Sequence, residues 1–79
     1  MSEESRLRWQ CRRGMRELDE LLIGYLESRY PDAAEDEKAA FQAVLELPDP
    51  DLNGYLLQRQ TPSLAIAGVI EQILKHPQT

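Results

Sequence analysis

The sequence predicts an all-α fold, a compact single-domain five-helix bundle, and three observations carry that prediction. Leucine and alanine supply 19 of the 33 apolar residues, while valine, isoleucine and threonine number 8 in the whole chain, a balance that favours helix over sheet. Two segments repeat apolar residues at the i, i+3, i+4 spacing of an amphipathic helix. Pro31, Pro48, Pro62 and Pro77 then cut the chain into helix-sized pieces, because proline cannot continue a helix interior.

Each element has its own signal. The first helix, 4–12, rests on Leu7 and Cys11, four apart. The second, 15–30, carries the inward stripe Leu18, Leu21, Leu22, Tyr25 and Leu26, with Asp19, Glu20 and Glu27 on the opposite face. Its end is set by Pro31. The third, 33–47, starts among Asp32 to Glu37, acidic groups that suit the positive end of a helix dipole, and turns Phe41, Val44 and Leu45 inward. Asp49 is placed to cap the fourth, 50–58, with Pro50 at its first position and Leu52, Tyr55 and Leu56 inward. The fifth, 63–75, has the stripe Ile66, Val69, Ile70, Ile73 and Leu74 and ends in the cationic turn Lys75-His76 before Pro77. Residues 1–79 thus form a single helical domain, with a core of about 4–75 and frayed termini. Tyr25, Phe41 and Tyr55 are expected in the core, Tyr30 at the bundle edge, and the run Glu35-Asp36-Glu37 on a solvated face.

Composition also excludes chemistries. A 79-residue chain buries only about 60–65% of its unfolded surface, leaving little room for an enclosed catalytic pocket. One cysteine, Cys11, excludes an internal disulfide and a cysteine-rich metal knuckle. One histidine, His76, excludes a histidine-cluster metal site and the usual Ser-His or Cys-His pairing. Neither a secretory h-region nor a stretch of about 20 apolar residues is present, so a cytoplasmic location without membrane insertion is expected.

Charge is unevenly distributed. The net charge is −5, yet residues 1–16 hold Arg6, Arg8, Arg12, Arg13 and Arg16 against Glu3 and Glu4, a local balance of +3. The remaining residues carry −8, which argues against generic nucleic-acid binding. A structural account covers part of the cationic segment. Arg12 and Arg13 complement the negative end of the first helix, Gly14 ends it in a left-handed conformation, and Glu17 suits the start of the second. It leaves Arg6, Arg8 and Trp9 unexplained, and arginine and tryptophan are the residues most enriched at binding hot spots. A bare glycine flanked by Arg13, Arg16 and Glu17 lets a partner backbone approach closely while charge-assisted hydrogen bonds orient it.

The segment Arg13-Gly14-Met15-Arg16-Glu17-Leu18-Asp19, preceded by Arg12 and followed by Leu21-Leu22, resembles the Arg-Gly-x-x-Glu signature of the succinate dehydrogenase assembly factor family, the FAD flavinylation factors known in bacteria as SdhE. A second segment, Asp49-Pro50-Asp51-Leu52 with Tyr55-Leu56, looks like that family's Asp-x-x-Leu-x-x-Trp-Leu element. Phe41 and Leu45 fit its third-helix core. Two departures are visible: Tyr55 stands where tryptophan is usual, and Arg16 where an aliphatic residue is common.

The resemblance implies a small, non-catalytic helical protein that binds the flavoprotein subunit of succinate dehydrogenase, and in bacteria also that of fumarate reductase. It would promote covalent attachment of FAD to a histidine of the subunit. Carried over residue by residue, it assigns partner binding to Arg13, Gly14 and Glu17, and less directly to Arg8, Arg12, Arg16 and Asp19. On that reading Arg13 and Glu17 hydrogen-bond across the interface while Gly14 leaves room. FAD then belongs to the partner, and no cofactor-binding, metal or catalytic residue is assigned to this chain.

Two rival readings belong to other classes. Members of the same family have been described as partners of a small membrane-associated toxin, so an antitoxin-like regulatory role is the alternative. A helix-turn-helix DNA binder is disfavoured, because neither the fourth nor the fifth helix offers a basic reading face.

Overall fold

The computed structural model describes residues 3–75. All regular structure among them is helical: α1 (Glu3–Cys11), α2 (Arg16–Ser28), a single 3-10 turn (Tyr30–Asp32), α3 (Glu35–Leu45), α4 (Asp49–Leu56) and α5 (Leu64–Lys75). Every helix boundary lies within two residues of its expected position. The exception in kind is the 3-10 turn, which occupies the region where α2 and α3 were expected almost to meet. Arg29 N–H closes α2 on the Tyr25 carbonyl at 2.9 Å. Pro31 has no N–H to continue the ladder, so Asp32 and Ala33 donate instead to Arg29 and Tyr30 at 3.0 and 3.1 Å.

α2 lies at the centre, packing on α1, α4 and α5, while α3 covers α5 and α1. Leu18, Leu22, Tyr25 and Leu26 of α2 are buried against Phe41, Val44 and Leu45 of α3, Leu52 and Leu56 of α4, and Val69, Ile70 and Ile73 of α5. Full burial of such side chains contributes roughly 1.5–3 kcal/mol each. Leu7 and Cys11 are buried too, so the short signal in the first helix marks a genuine inward face. Tyr25, Tyr30 and Phe41 form a ring cluster with centroids 4.6, 5.5 and 6.5 Å apart.

Three expectations need correction. Glu37 is not part of a solvated face: its Oε2 accepts from the Tyr25 hydroxyl at 2.5 Å and from Arg29 Nε at 2.8 Å, and its Oε1 accepts from Arg29 Nη2 at 3.1 Å. Burying the Tyr25 ring against α3 brings its hydroxyl to the rim, where a carboxylate is the available acceptor. Burial, followed by that bond, pushes the Tyr25 hydroxyl pKa upward. Asp49 does not cap α4 from outside but is its first residue, with Pro48 at the cap position, and its carboxylate faces Arg13. Tyr55 is half-buried at the core edge rather than enclosed. His76, expected in the last turn of the fifth helix, lies outside the described residues, and α5 closes with a Lys75–Glu71 pair at 3.1 Å.

Cys11 gives the bundle a sensitivity to alkali. Its thiol is fully buried, and burial pushes its pKa from 9.0 up to about 12. Below pH 9 both the native and the unfolded thiol are protonated. Above it the unfolded thiol loses its proton and the native one does not, so stability falls by roughly 1.4 kcal/mol per pH unit for this one group. Tyr25 adds to the slope from its ordinary value of 10.0 upward. Urea midpoints measured from pH 8 to 11 are therefore expected to decline from pH 9. Cys11→Ala should delay the onset by about one pH unit; an unchanged onset would remove Cys11 as the cause.

Candidate functional site

The cationic segment forms the bend between α1 and α2. The Arg12 N–H returns to the Trp9 carbonyl at 3.1 Å, and Gly14 then takes φ +78°. That left-handed conformation costs an L-residue about 1–2 kcal/mol, so glycine is the suitable residue here. Met15 occupies the cap position of α2 in an extended conformation and supplies no side-chain cap. Asp19 instead reaches back past the cap, its Oδ1 accepting the Arg13 N–H at 2.7 Å and so tying the bend to α2. The carboxylate reaches back over the first turn as a capping-box acid does, two residues further upstream than usual.

Arg13 fixes the bend from behind. Its Nη2 donates to the Leu45 carbonyl, and its Nη1 donates to the Leu47 carbonyl at 3.2 Å and pairs with Asp49 Oδ1 at 3.5 Å. The last turn of α3 tightens, with Glu46 and Leu47 bonding to Ala43 and Val44, and helix ends leave carbonyls without intrahelical donors. The planar guanidinium meets one such carbonyl, that of Leu45, and the Leu47 carbonyl just past the helix, and its positive charge suits the negative end of α3. Only 17% of the Arg13 side chain is exposed, and its Nε is buried with no acceptor.

The seven candidate residues therefore separate into two groups. Arg8, Arg13 and Asp19 are engaged within the fold: Arg8 Nη1 donates to Glu27 Oε2 at 2.7 Å, joining α1 to α2, and Nη2 lies 3.5 Å from Glu4. The Glu27 bond raises the Arg8 pKa above its ordinary value. Arg12, Gly14, Arg16 and Glu17 face outward. Arg16 is 91% exposed and touches Glu20 on its own helix at 3.2 Å. A Cβ placed on Gly14 would meet nothing within 4 Å. The result is an open strip of backbone between an outward arginine and an outward carboxylate, rigidly held from below.

Sequence reasoning had Arg13 reaching outward, whereas its guanidinium reaches α3 and α4. Local sequence carries no signal for partners 32 to 36 residues away. What sequence reasoning underweighted is Trp9, exposed to 73%, together with Met15 at 36%.

Among the described residues there is no group of three or more histidine, cysteine, aspartate or glutamate side chains placed to hold a metal, and no helix is long and apolar enough to cross a membrane.

Comparison with known proteins agrees with the signature on this bend. Residues 5–77 match the family model described as the flavinator of succinate dehydrogenase. The FAD assembly factor SdhE of Aliivibrio fischeri is 35% identical over 75 residues, covering 94% of this chain and 87% of that protein. The SdhE of Haemophilus ducreyi is 36% identical over 69 residues, covering 86% and 84%. That of Yersinia pseudotuberculosis is 40% identical over 62 residues, covering 78% and 70%. The chain thus belongs to the succinate dehydrogenase flavinator family, that of the FAD assembly factors SdhE.

Proposed function

We propose that this chain binds the flavoprotein subunit of succinate dehydrogenase through the Gly14 bend and promotes covalent attachment of FAD to a histidine of that subunit. The flavoprotein of fumarate reductase is a second client on the same reading. The observation that carries the site is the bend itself: open space over Gly14, flanked by outward Arg12 and Glu17 and anchored by Arg13 and Asp19. Such a surface can receive a partner's backbone and orient it by hydrogen bonds without entropic loss in the bend. Holding two reacting groups in a near-attack geometry can lower a barrier by several kcal/mol, up to about 7–11 in the best intramolecular systems.

Within this proposal Glu17 and Arg12 contact the partner, Gly14 leaves the clearance, and Arg13 and Asp19 act as positioning residues. Arg8 and Arg16 border the surface. FAD is carried by the partner. A groove of this chain between α3 and α5 has Asp36 in its lining, which would repel a pyrophosphate. The proposal includes a cytoplasmic location.

The test is covalent flavin on the flavoprotein subunit, read as in-gel fluorescence after denaturation, with apo-subunit and FAD incubated with or without this protein. The expected result is a rise in covalent flavin over the spontaneous level. No rise with either flavoprotein would overturn the reading.

A further inference from the structure

We propose that Trp9 is a docking anchor, extending the contact surface from the bend onto the outer face of α1, where it enters an apolar pocket with an acidic rim on the flavoprotein. The inference rests on the function proposed above. α1 buries only Leu7 and Cys11, and Trp9 lies on the other side, 73% exposed. The remaining aromatic side chains are buried or, at Tyr55, half-buried. Folding therefore gives no reason for the chain's only tryptophan to stand here. An indole offers a large, rigid apolar area with little side-chain entropy to lose, which is why tryptophan dominates binding hot spots.

Its neighbours identify the occupant. Arg6 and Arg12 precede and follow Trp9 by one helical turn each, and the Arg12 N–H is bonded to the Trp9 carbonyl. Both arginines are exposed. Arg8 and Arg13, by contrast, are neutralised by Glu27 and Asp49. On a chain of net charge −5, an acidic partner surface would repel most faces and attract this one. Charge thus orients the encounter, and the indole supplies the apolar contact at its centre. Gly14 follows Trp9 by five residues, in the bend that ends α1.

The experiment uses full-length protein labelled with 5-fluorotryptophan, which carries a single fluorine resonance because there is one tryptophan. On addition of apo-flavoprotein the resonance is expected to shift and to lose its H2O/D2O solvent effect. Co-elution in size exclusion reports the complex independently. A complex that forms while the fluorine stays solvent-exposed overturns the anchor and leaves the proposed function standing. Absence of any complex overturns both. A resonance that shifts with protein concentration alone assigns the indole to a second copy of this chain and overturns the proposal. In parallel, Trp9→Ala is expected to weaken the complex at least about tenfold with an unchanged melting curve; wild-type affinity would also overturn it.

Discussion

Gly14→Arg is expected to abolish flavinylation while leaving the bundle folded, with covalent flavin on the partner falling at least about tenfold, since small misplacements of a positioned partner carry costs of that size. The fold should survive because no atom lies within 4 Å of the position a Cβ would take. The cost is backbone strain at φ +78°, about 1–2 kcal/mol. Gly14→Ala separates the two effects, because alanine bears the same strain without filling the space above the bend. Circular dichroism establishes folding, and the in-gel assay establishes activity. Arginine should be inactive and alanine intermediate. Equal loss in both variants would make strain the cause, and a fully active arginine variant would remove Gly14 from the interface.

Arg13→Met is expected to destabilise the protein by about 2–4 kcal/mol in urea titration. A hydrogen bond from a charged donor contributes about 1.5–3 kcal/mol; two are lost here, discounted for partial exposure. The Asp49 pair, at 3.5 Å with Asp49 44% exposed, adds little, as exposed ion pairs do. A domain of this size holds on the order of 4–12 kcal/mol in total, so the loss is a large share. Lysine should not rescue it, because an ammonium cannot span both carbonyls in one plane. Flavinylation per folded molecule should also fall, measured at a temperature where the variant is folded. Unchanged activity per folded molecule would show that Arg13 supports the bundle and not the bend.

Local pattern and distant pairing were unequally legible in the sequence. The helices were readable because Pro31, Pro48 and Pro62 break the ladder wherever they stand, and because Leu18, Leu22, Tyr25 and Leu26 mark a face without reference to any other segment. The position of the bend was readable for the same reason: Gly14 is a local signal. Which arginine turns inward was not. Arg12 and Arg13 are adjacent and chemically alike, and distant groups distinguish them, the carbonyls of Leu45 and Leu47 and the carboxylate of Asp49. Glu37 posed the same difficulty among three neighbouring acids, since its selection depends on Tyr25 and Arg29. Asp49 had two possible tasks, capping and ion pairing, and the second is decided by a residue 36 positions away.

The span closed by Arg13 also orders events during synthesis. Residues 12 to 17 emerge early, yet the carbonyls that shape their bend belong to residues 45 and 47, and at about 5–20 residues per second these follow some seconds later. A nascent chain can coil α1 and α2 without presenting a finished surface. On the site proposed above, the contact surface would be complete only once the α3–α4 junction has closed, and a client would engage finished copies rather than partial ones.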